Sequence, residues 1–211
     1  WAKKLAGVSL SDIKISVFQN EALQAKVSGK ILFTHFGVSG PTILNLSRDI
    51  GELLKYGSVL ITIDLLPKLN YGELNLRLQQ LFKEKSNTNF KNALGSLVTG
   101  AIANAVVEIS GIDPNVKCHS VTRDERNSLV KLLKTLPLNV KGLLGMDKAV
   151  ISSGGVALSE VDFKTMQSKI YPNLFLIGDI LDIDRPSGGY SLQLCWTTGH
   201  VAGVSASKIT P

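Results

Sequence analysis

The segment Ile170–Ala206 reads IYPNLFLIGDILDIDRPSGGYSLQLCWTTGHVAGVSA, and it decides the fold class. Its apolar run Leu174–Ile177 predicts a buried strand that ends at Gly178, where a missing side chain would let the backbone approach a ligand. Asp179 follows at the carboxyl end of that strand, where open α/β sheets place their ligands. The pair Gly188-Gly189 then leads into a predicted closing helix that is rich in small residues.

The start of this closing helix is a candidate anion site. Its first free N–H groups belong to Tyr190, Ser191 and Leu192, and a helix N-terminus favours negative charge. A carboxylate that binds sugar hydroxyls, followed by a helix N-terminus for an anionic ring edge, would suit a flavin. Because two glycines before a helix are common, the pattern alone favours an ordinary strand–loop–helix junction.

Two motifs of the chain match a known family. The first runs through Gly154-Gly155-Val156, the stretch 165–169 (TMQSK), Pro172–Phe175, Gly178-Asp179 and the GGYSLQ of residues 188–193. The second is GKILFTHFGVSGP over residues 29–41. Both motifs, and their order along the chain, resemble those of the HI0933-like flavoproteins, also called the BaiN-type or aminoacetone oxidase family.

The resemblance implies a two-part fold. Residues 1–145 are expected to form an inserted α+β domain, with antiparallel strands near 11–66 and a helical part near 71–136. Residues 146–211 are expected to supply the C-terminal strand and helix of a Rossmann-like FAD-binding domain. The motif G-x-G-x-x-G, which opens the dinucleotide-binding unit of such proteins, does not occur in the sequence, which starts at Trp1. We therefore expect a C-terminal half that lacks the N-terminal dinucleotide-binding half and that is inactive as an isolated piece.

The resemblance also implies a function, an FAD-dependent oxidoreductase with NAD(P)H as a candidate electron donor and a small-molecule substrate. RNA is the alternative substrate, because the family includes members linked to RNA-base reduction. Three positions depart from the family pattern: Asn173 replaces Gly, Asp179 replaces Glu and Ser191 replaces Asn. The expected FAD contacts are Gly154, Gly155, Gly178, Asp179, Gly188, Gly189, Tyr190, Ser191 and Leu192.

Composition limits the class of protein. The chain has 211 residues, 44% hydrophobic and 19% charged, which excludes a disordered chain. No apolar stretch approaches the roughly 20 residues of a membrane helix, and two cysteines form no disulfide framework, so we expect a cytoplasmic protein with no membrane partner. Residues 1–150 carry 19 Lys+Arg and 12 Asp+Glu, a charge of +7. Such a surface could attract nucleic acid or acidic metabolites, but the scattered lysines favour a solvated exterior.

The loop at 33–41 holds the candidate catalytic group. His35 is either a proton-transfer or polarising group or a side chain that bonds backbone, whereas Ser39 is expected to cap the helix that starts near Pro41. The three histidines and two cysteines share no metal-ligand spacing, so we predict no metal site. Cys195 is expected to pack in the core.

Apolar periodicity predicts the remaining elements. Strands are expected at Ser11–Phe18, Glu21–Phe36, Gly57–Leu66, Ala149–Ile151 and Val156–Leu158, and helices at Pro41–Leu54, Tyr71–Lys85, Asn89–Leu97, Thr99–Ile109 and Thr122–Leu136, the last with a capping box between Thr122 and Glu125.

Overall fold

The computed structural model of the chain describes residues 1–149 and 154–208, with the side chain of Met146 left out. The chain divides into two compact units, Trp1–Leu143 and Leu144–Pro211. The described residues contain six α-helices and a mixture of strands, so the protein is of mixed α/β class.

The first unit is built on a five-stranded antiparallel sheet. In the order β3-β2-β1-β4-β5, its neighbouring strands all run antiparallel. Alternate residues of β1 and β4 are buried on one face, the pattern of a sheet with one solvated side. Register shifts within β1 mark irregularities that curl the sheet. The strands are β1 (Ser9–Gln19), β2 (Ala22–Thr34), β3 (Gly37–Ser39), β4 (Val59–Asp64) and β5 (Leu136–Val140).

Five helices cover the buried face and extend the core of this unit. Helix α1 lies close to β2: a Cβ at Gly29 would stand 2.3 Å from the Oγ1 of Thr42, which explains the glycine in mid-strand. Helix α5 starts at the predicted capping box, where Thr122 Oγ1 accepts from the N–H of Glu125 at 3.2 Å. The helices are α1 (Pro41–Leu54), α2 (Tyr71–Glu84), α3 (Phe90–Leu94), α4 (Gly100–Ser110) and α5 (Arg123–Lys134).

A buried ion pair joins the sheet to the helices. Lys134 Nζ lies 2.5 Å from Asp64 Oδ2, with the two side chains 8% and 15% exposed. The same ammonium donates to the carbonyls of Leu66 at 3.1 Å and Leu69 at 2.7 Å. The end of β4, the following turn and the last turn of α5 therefore share one charged anchor.

The second unit has a small core. It contains the hairpin of β6 (Val161–Asp162) and β7 (Gln167–Ser168) and the long helix α6 (Tyr190–Ala206). Five buried residues form its core among those described: Val161, Met166, Leu176, Leu181 and Ala202. Several large apolar side chains are exposed instead, Trp196 and Leu192 on α6 among them.

The helix predictions hold closely, and the strand predictions hold in the first unit. Helix α1 has the predicted bounds, and α2 to α5 begin within one residue of prediction. The short strands β3 and β5 were not predicted. The predicted helix Thr122–Leu136 stops at Lys134, because the chain turns there to pair β5 with β4.

The strand predicted at Leu174–Ile177 is absent, and this prediction was wrong. A strand needs a neighbour, and Phe175 makes a single bridge to Gln167. Likewise, the predicted strand Val156–Leu158 reduces to one parallel bridge between Val156 and Leu181. The prediction at Ala149–Ile151 falls almost wholly outside the described residues.

Candidate functional site

Asp179 and an arginine that was not predicted lie together in the second unit. Asp179 sits in the short 3-10 turn Gly178–Ile180, and the guanidinium of Arg185 pairs with its carboxylate. Arg185 also donates from Nε to Ser191 Oγ at 2.7 Å and from Nη1 to the carbonyl of Ile183 at 2.9 Å. The arginine side chain is 10% exposed and the aspartate side chain 60% exposed. Arg185 therefore bridges the turn to the first turn of α6 while Asp179 stays open to solvent.

Sequence reasoning missed Arg185, although a signal was available. It is the only Lys or Arg in the segment Ile170–Ala206, and it stands between Asp184 and the glycine pair. A lone basic residue among three aspartates is a natural ion-pair partner for one of them.

The N-terminus of α6 is open. Gly188 and Gly189 have φ of 107° and 91°, in the left-handed region that favours glycine, and a Cβ at either would meet nothing within 4 Å. Among the described residues, no backbone carbonyl takes the N–H groups of Tyr190, Ser191 or Leu192, and Gly189 at the N-cap has no side chain to accept from them. These donors and the positive end of the helix dipole favour an anion at the helix start.

The other predicted glycine contacts separate into two kinds. Gly154, with φ of 104°, also has open space where a Cβ would lie. A Cβ at Gly155 would stand 2.5 Å from the carbonyl oxygen of Ile180, and one at Gly178 would stand 2.8 Å from the Sγ of Cys195. Packing against backbone atoms therefore requires glycine at 155, whereas at 178 the left-handed φ of 64° favours glycine, and the sequence pattern showed neither reason.

His35 lies in the tight turn between β2 and β3, not in a loop before a helix. Its ring is exposed and meets Phe36 edge-on, with ring centroids 5.1 Å apart. The predicted cap at Ser39 was wrong: the N-cap of α1 is Gly40, with φ of 98° and no side-chain cap. Ser39 instead belongs to β3, which pairs with β2.

The remaining candidate groups are not gathered into a site. Cys195 is half-buried, its Sγ 3.9 Å from Asp179 Oδ1, and His200 is exposed on α6. Within residues 1–149 and 154–208, no group of three His, Cys, Asp or Glu side chains could hold a metal ion. In that same part of the chain, every helix is too short or too polar to span a bilayer.

A concave surface, which we call the basic groove, lies in the first unit. It has a volume of about 530 Å³ and is lined by Gln79, Phe82, Lys83, Cys118, His119 and Arg126, with Ser86 and Val121. Burial raises the pKa of the Cys118 thiol, and Lys85 and Lys117 oppose that shift electrostatically. A separate cavity of about 290 Å³ lies between α1 and strands β1 and β2 and is mostly apolar.

Three curated proteins illustrate what the chain is similar to. It is 26% identical over 206 residues to the 3-dehydro-bile acid delta(4,6)-reductase of Clostridium scindens, a match covering 97% of this chain and 50% of the relative. It is 27% identical over 170 residues to the ribosomal RNA dihydrouridine synthase of Escherichia coli, covering 80% and 40%. The Haemophilus influenzae protein of that name is 26% identical over 200 residues, covering 95% and 48%. The chain thus spans about half the length of these relatives.

A family model also matches the first part of the chain. The model describes the HI0933-like protein barrel and H2TH domain, and it covers residues 1–151, which include the whole antiparallel sheet and helices α1 to α5. The resemblance drawn from the two motifs is therefore confirmed. On this match, and with an oxidoreductase among its relatives, the chain belongs to the HI0933-like family.

Proposed function

We propose that the chain is part of an FAD-dependent oxidoreductase. In this proposal residues 1–145 form the inserted, substrate-side domain, and residues 146–211 belong to the Rossmann-like domain that binds FAD. The observation that carries the proposal is the N-terminus of α6, where three N–H groups without a backbone acceptor follow two glycines with positive φ.

The donor set at this terminus fits a flavin. Neutral N–H groups at a helix start suit an electron-rich ring edge, and the nearby carboxylate of Asp179 suits the hydroxyls of a sugar. One carboxylate oxygen of Asp179 pairs with Arg185, and the 60% exposure of the side chain leaves the group accessible. Gly154, Gly188 and Gly189 offer space for a ligand to approach the backbone. The contacts proposed for Gly155 and Gly178 pass through their backbone atoms.

When bound, FAD would supply the redox chemistry, accepting and passing on electron pairs. The residues of this chain bind and orient it. The N–H groups of Tyr190, Ser191 and Leu192 stabilise negative charge at the helix start, and Arg185 holds Ser191 and Asp179 in place from either side. NAD(P)H is the electron donor that we propose.

The exposed apolar surface of α6 agrees with this placement. Leu192, Trp196 and Val204 are all exposed on α6 beside the exposed polar residues Gln193, Thr197 and His200, so the apolar residues of this helix are not confined to its buried side. A helix that is apolar on several sides is typical of one covered by other protein. In the FAD-binding domain that we propose, the rest of that domain covers these side chains.

A small molecule with a conjugated double bond is the substrate class that we propose first. The Clostridium scindens relative, which matches 97% of the chain, is named as a reductase of 3-dehydro-bile acids. His35 is a candidate proton donor or polarising group on this substrate, because its exposed ring lies at the tip of the β2–β3 turn.

RNA is the second candidate substrate. Two relatives are named as ribosomal RNA dihydrouridine synthases, and dihydrouridine is uridine with two hydrogens added across a carbon–carbon double bond. The same flavin chemistry would serve both substrates. The charge of +7 on residues 1–150 favours a polyanionic partner.

The flavin proposal is tested by Asp179→Ala in the gene product that contains this chain. Losing a charged hydrogen bond to the sugar costs about 1.5–3 kcal/mol, so flavin affinity should fall about tenfold or more. The measurement is the flavin absorbance retained after gel filtration, followed by titration with FAD. Asp182→Ala, which removes an exposed carboxylate three residues away, is the matched control and should keep its flavin. Equal flavin affinity in both variants would contradict the role proposed for Asp179. A wild-type protein that never binds flavin would contradict the proposal that the protein is an FAD-dependent oxidoreductase.

A further inference from the structure

The basic groove brings together residues from three elements of the first unit. On α2, Gln79 and Lys83 are four residues apart and Phe82 lies between them, so all three share one face of the helix. The turn Cys118–Ser120 and the first turn of α5 form the other sides. Phe82 and Cys118 are buried at this surface, whereas Lys83 and His119 are exposed.

Two ordered contacts fix the polar groups of the groove. Arg126 donates from Nε to Asn75 Oδ1 at 2.8 Å, which ties α5 to α2. His119 Nδ1 lies 2.9 Å from the carbonyl oxygen of Ser86, so Nδ1 carries the proton and Nε2 is left for another partner. The terminal nitrogens of Arg126 and the ammonium of Lys83 have no acceptor within the described part of the chain.

No carboxylate lines this groove among the described residues. The acidic groups nearest in sequence are engaged or turned away. Glu84 accepts from Gln80 Nε2 at 2.8 Å, and Glu125 is held by Thr122 in the capping box. Asp124 is two positions before Arg126 on α5, and side chains two apart do not share a helix face. The positive charges of the groove are therefore not neutralised locally.

We propose that the basic groove binds the phosphodiester backbone of RNA, with Lys83 and Arg126 as the phosphate contacts and Gln79 and His119 as polar neighbours. Planar guanidinium and flexible ammonium groups are the usual partners of phosphate, and backbone contacts position an RNA without reading its sequence. The inference rests on the second candidate substrate above, an RNA, and it assigns that RNA a docking surface outside the flavin site.

The test measures how the gene product that contains this chain binds a fluorescently labelled RNA hairpin at several salt concentrations. Fluorescence anisotropy of the hairpin reports the binding. Each cation that contacts phosphate contributes about 1 to the slope of log affinity against log salt concentration. The double variant Lys83→Gln/Arg126→Gln should therefore lower that slope by about 2 and weaken binding about tenfold or more at low salt. The single variant Lys83→Gln removes only an exposed side chain and should lower the slope by about 1.

The matched control is Lys26→Gln/Lys30→Gln, which removes two exposed lysines of β2 and changes the net charge equally. When the variants are compared at 0.1 M salt, the binding of this control should fall less than threefold, because charge farther than about 10 Å from the RNA is screened there. If the control and groove double variants lose the same RNA affinity, or if the groove variants bind RNA as the wild type does, the groove is not the RNA-binding surface. RNA would then remain a candidate substrate. A wild type that binds no RNA at low salt would overturn both.

Two further measurements distinguish RNA docking from binding of free phosphate and from a loss of flavin. Tripolyphosphate that binds the groove as tightly as the hairpin would identify a free-phosphate site and contradict RNA docking. The flavin absorbance of each variant should equal that of the wild type, because Lys83 and Arg126 lie in Trp1–Leu143 and the proposed flavin contacts in Leu144–Pro211. If RNA binding fails but every variant retains its flavin, the flavin proposal is unaffected.

Discussion

Gly40 sets how closely α1 starts against β2. Its φ is 98°, and an ideal Cβ there would stand 3.1 Å from the backbone nitrogen of Leu32 and 3.2 Å from the Cα of Ile31. Pro41 then opens α1 with a φ that is already helical. The motif Ser39-Gly40-Pro41 is thus explained by backbone conformation and packing at this junction.

We expect Gly40→Ala to destabilise the chain by about 1–3 kcal/mol, since a side chain would meet both the unfavourable φ and the neighbouring strand. Urea unfolding followed by circular dichroism measures the change. The control is Gly100→Ala at the start of α4, where a Cβ meets nothing within 4 Å. That control should leave stability unchanged or raise it by up to about 1 kcal/mol. A similar effect of both variants would contradict the packing argument.

At the scale of single residues, the sequence proposes candidate groups but does not identify the residues that they contact. Asp179 and the glycines of the closing segment were identified because their types and spacing suit a ligand. The pairing of Asp179 with Arg185, and the contact of Gly178 with Cys195, depend on how the loop folds back onto α6. The lone arginine among three aspartates predicts an ion pair but not which aspartate it joins, and no local pattern predicts the contact of Gly178 with Cys195.

Capping boxes define where two helices of the first unit begin. The box of α5 was predicted from Thr122 and Glu125, and it is confirmed. An equivalent box at α2 joins Asn70 and Glu73, with Glu73 N–H donating to Asn70 Oδ1 at 2.9 Å. Each box satisfies N–H groups that a helix start would otherwise leave unpaired.

Thr122→Ala should destabilise the chain by about 1 kcal/mol, because it removes the acceptor for the N–H of Glu125. The control is Ser128→Ala, an exposed hydroxyl further along α5, which should change stability by less than about 0.5 kcal/mol. Thermal and urea unfolding of the two variants are compared with wild type. A Thr122→Ala protein as stable as the control would show that the box contributes nothing measurable.

At the scale of elements, helices were predictable and isolated strands were not. The helices of the first unit carry caps, a proline start and an apolar face within their own sequence. A strand depends on a partner elsewhere in the chain, so Leu174–Ile177 is apolar enough for a strand yet forms a single bridge. For the same reason β5, which contains Pro137, forms because β4 offers an edge.

The two units differ in how much core each holds. The first unit buries side chains from all five helices and from four of its five strands in one cluster, whereas the second has five buried residues among those described. Local stability follows buried apolar surface. The family match likewise ends at residue 151, close to the division at Leu143.

We therefore expect hydrogen exchange of the 211-residue chain to be uneven. Amides of β1 and β4 should exchange slowest, and amides of α6 should exchange faster by on the order of tenfold or more. Exchange followed by peptide mass spectrometry measures the difference. Equal protection of α6 and the central strands would contradict the contrast between the two cores.

The anchor formed by Lys134 and Asp64 has a mechanical consequence. Its ammonium binds Asp64 at the end of β4 and the carbonyls of Leu66 and Leu69 at the same time, so the last turn of α5 is attached directly to the sheet. Breaking a buried pair by removing one partner costs about 3–5 kcal/mol, so separating α5 from the end of β4 carries a cost of that order. The basic groove, one wall of which is α5, is therefore tied to the sheet through this ion pair.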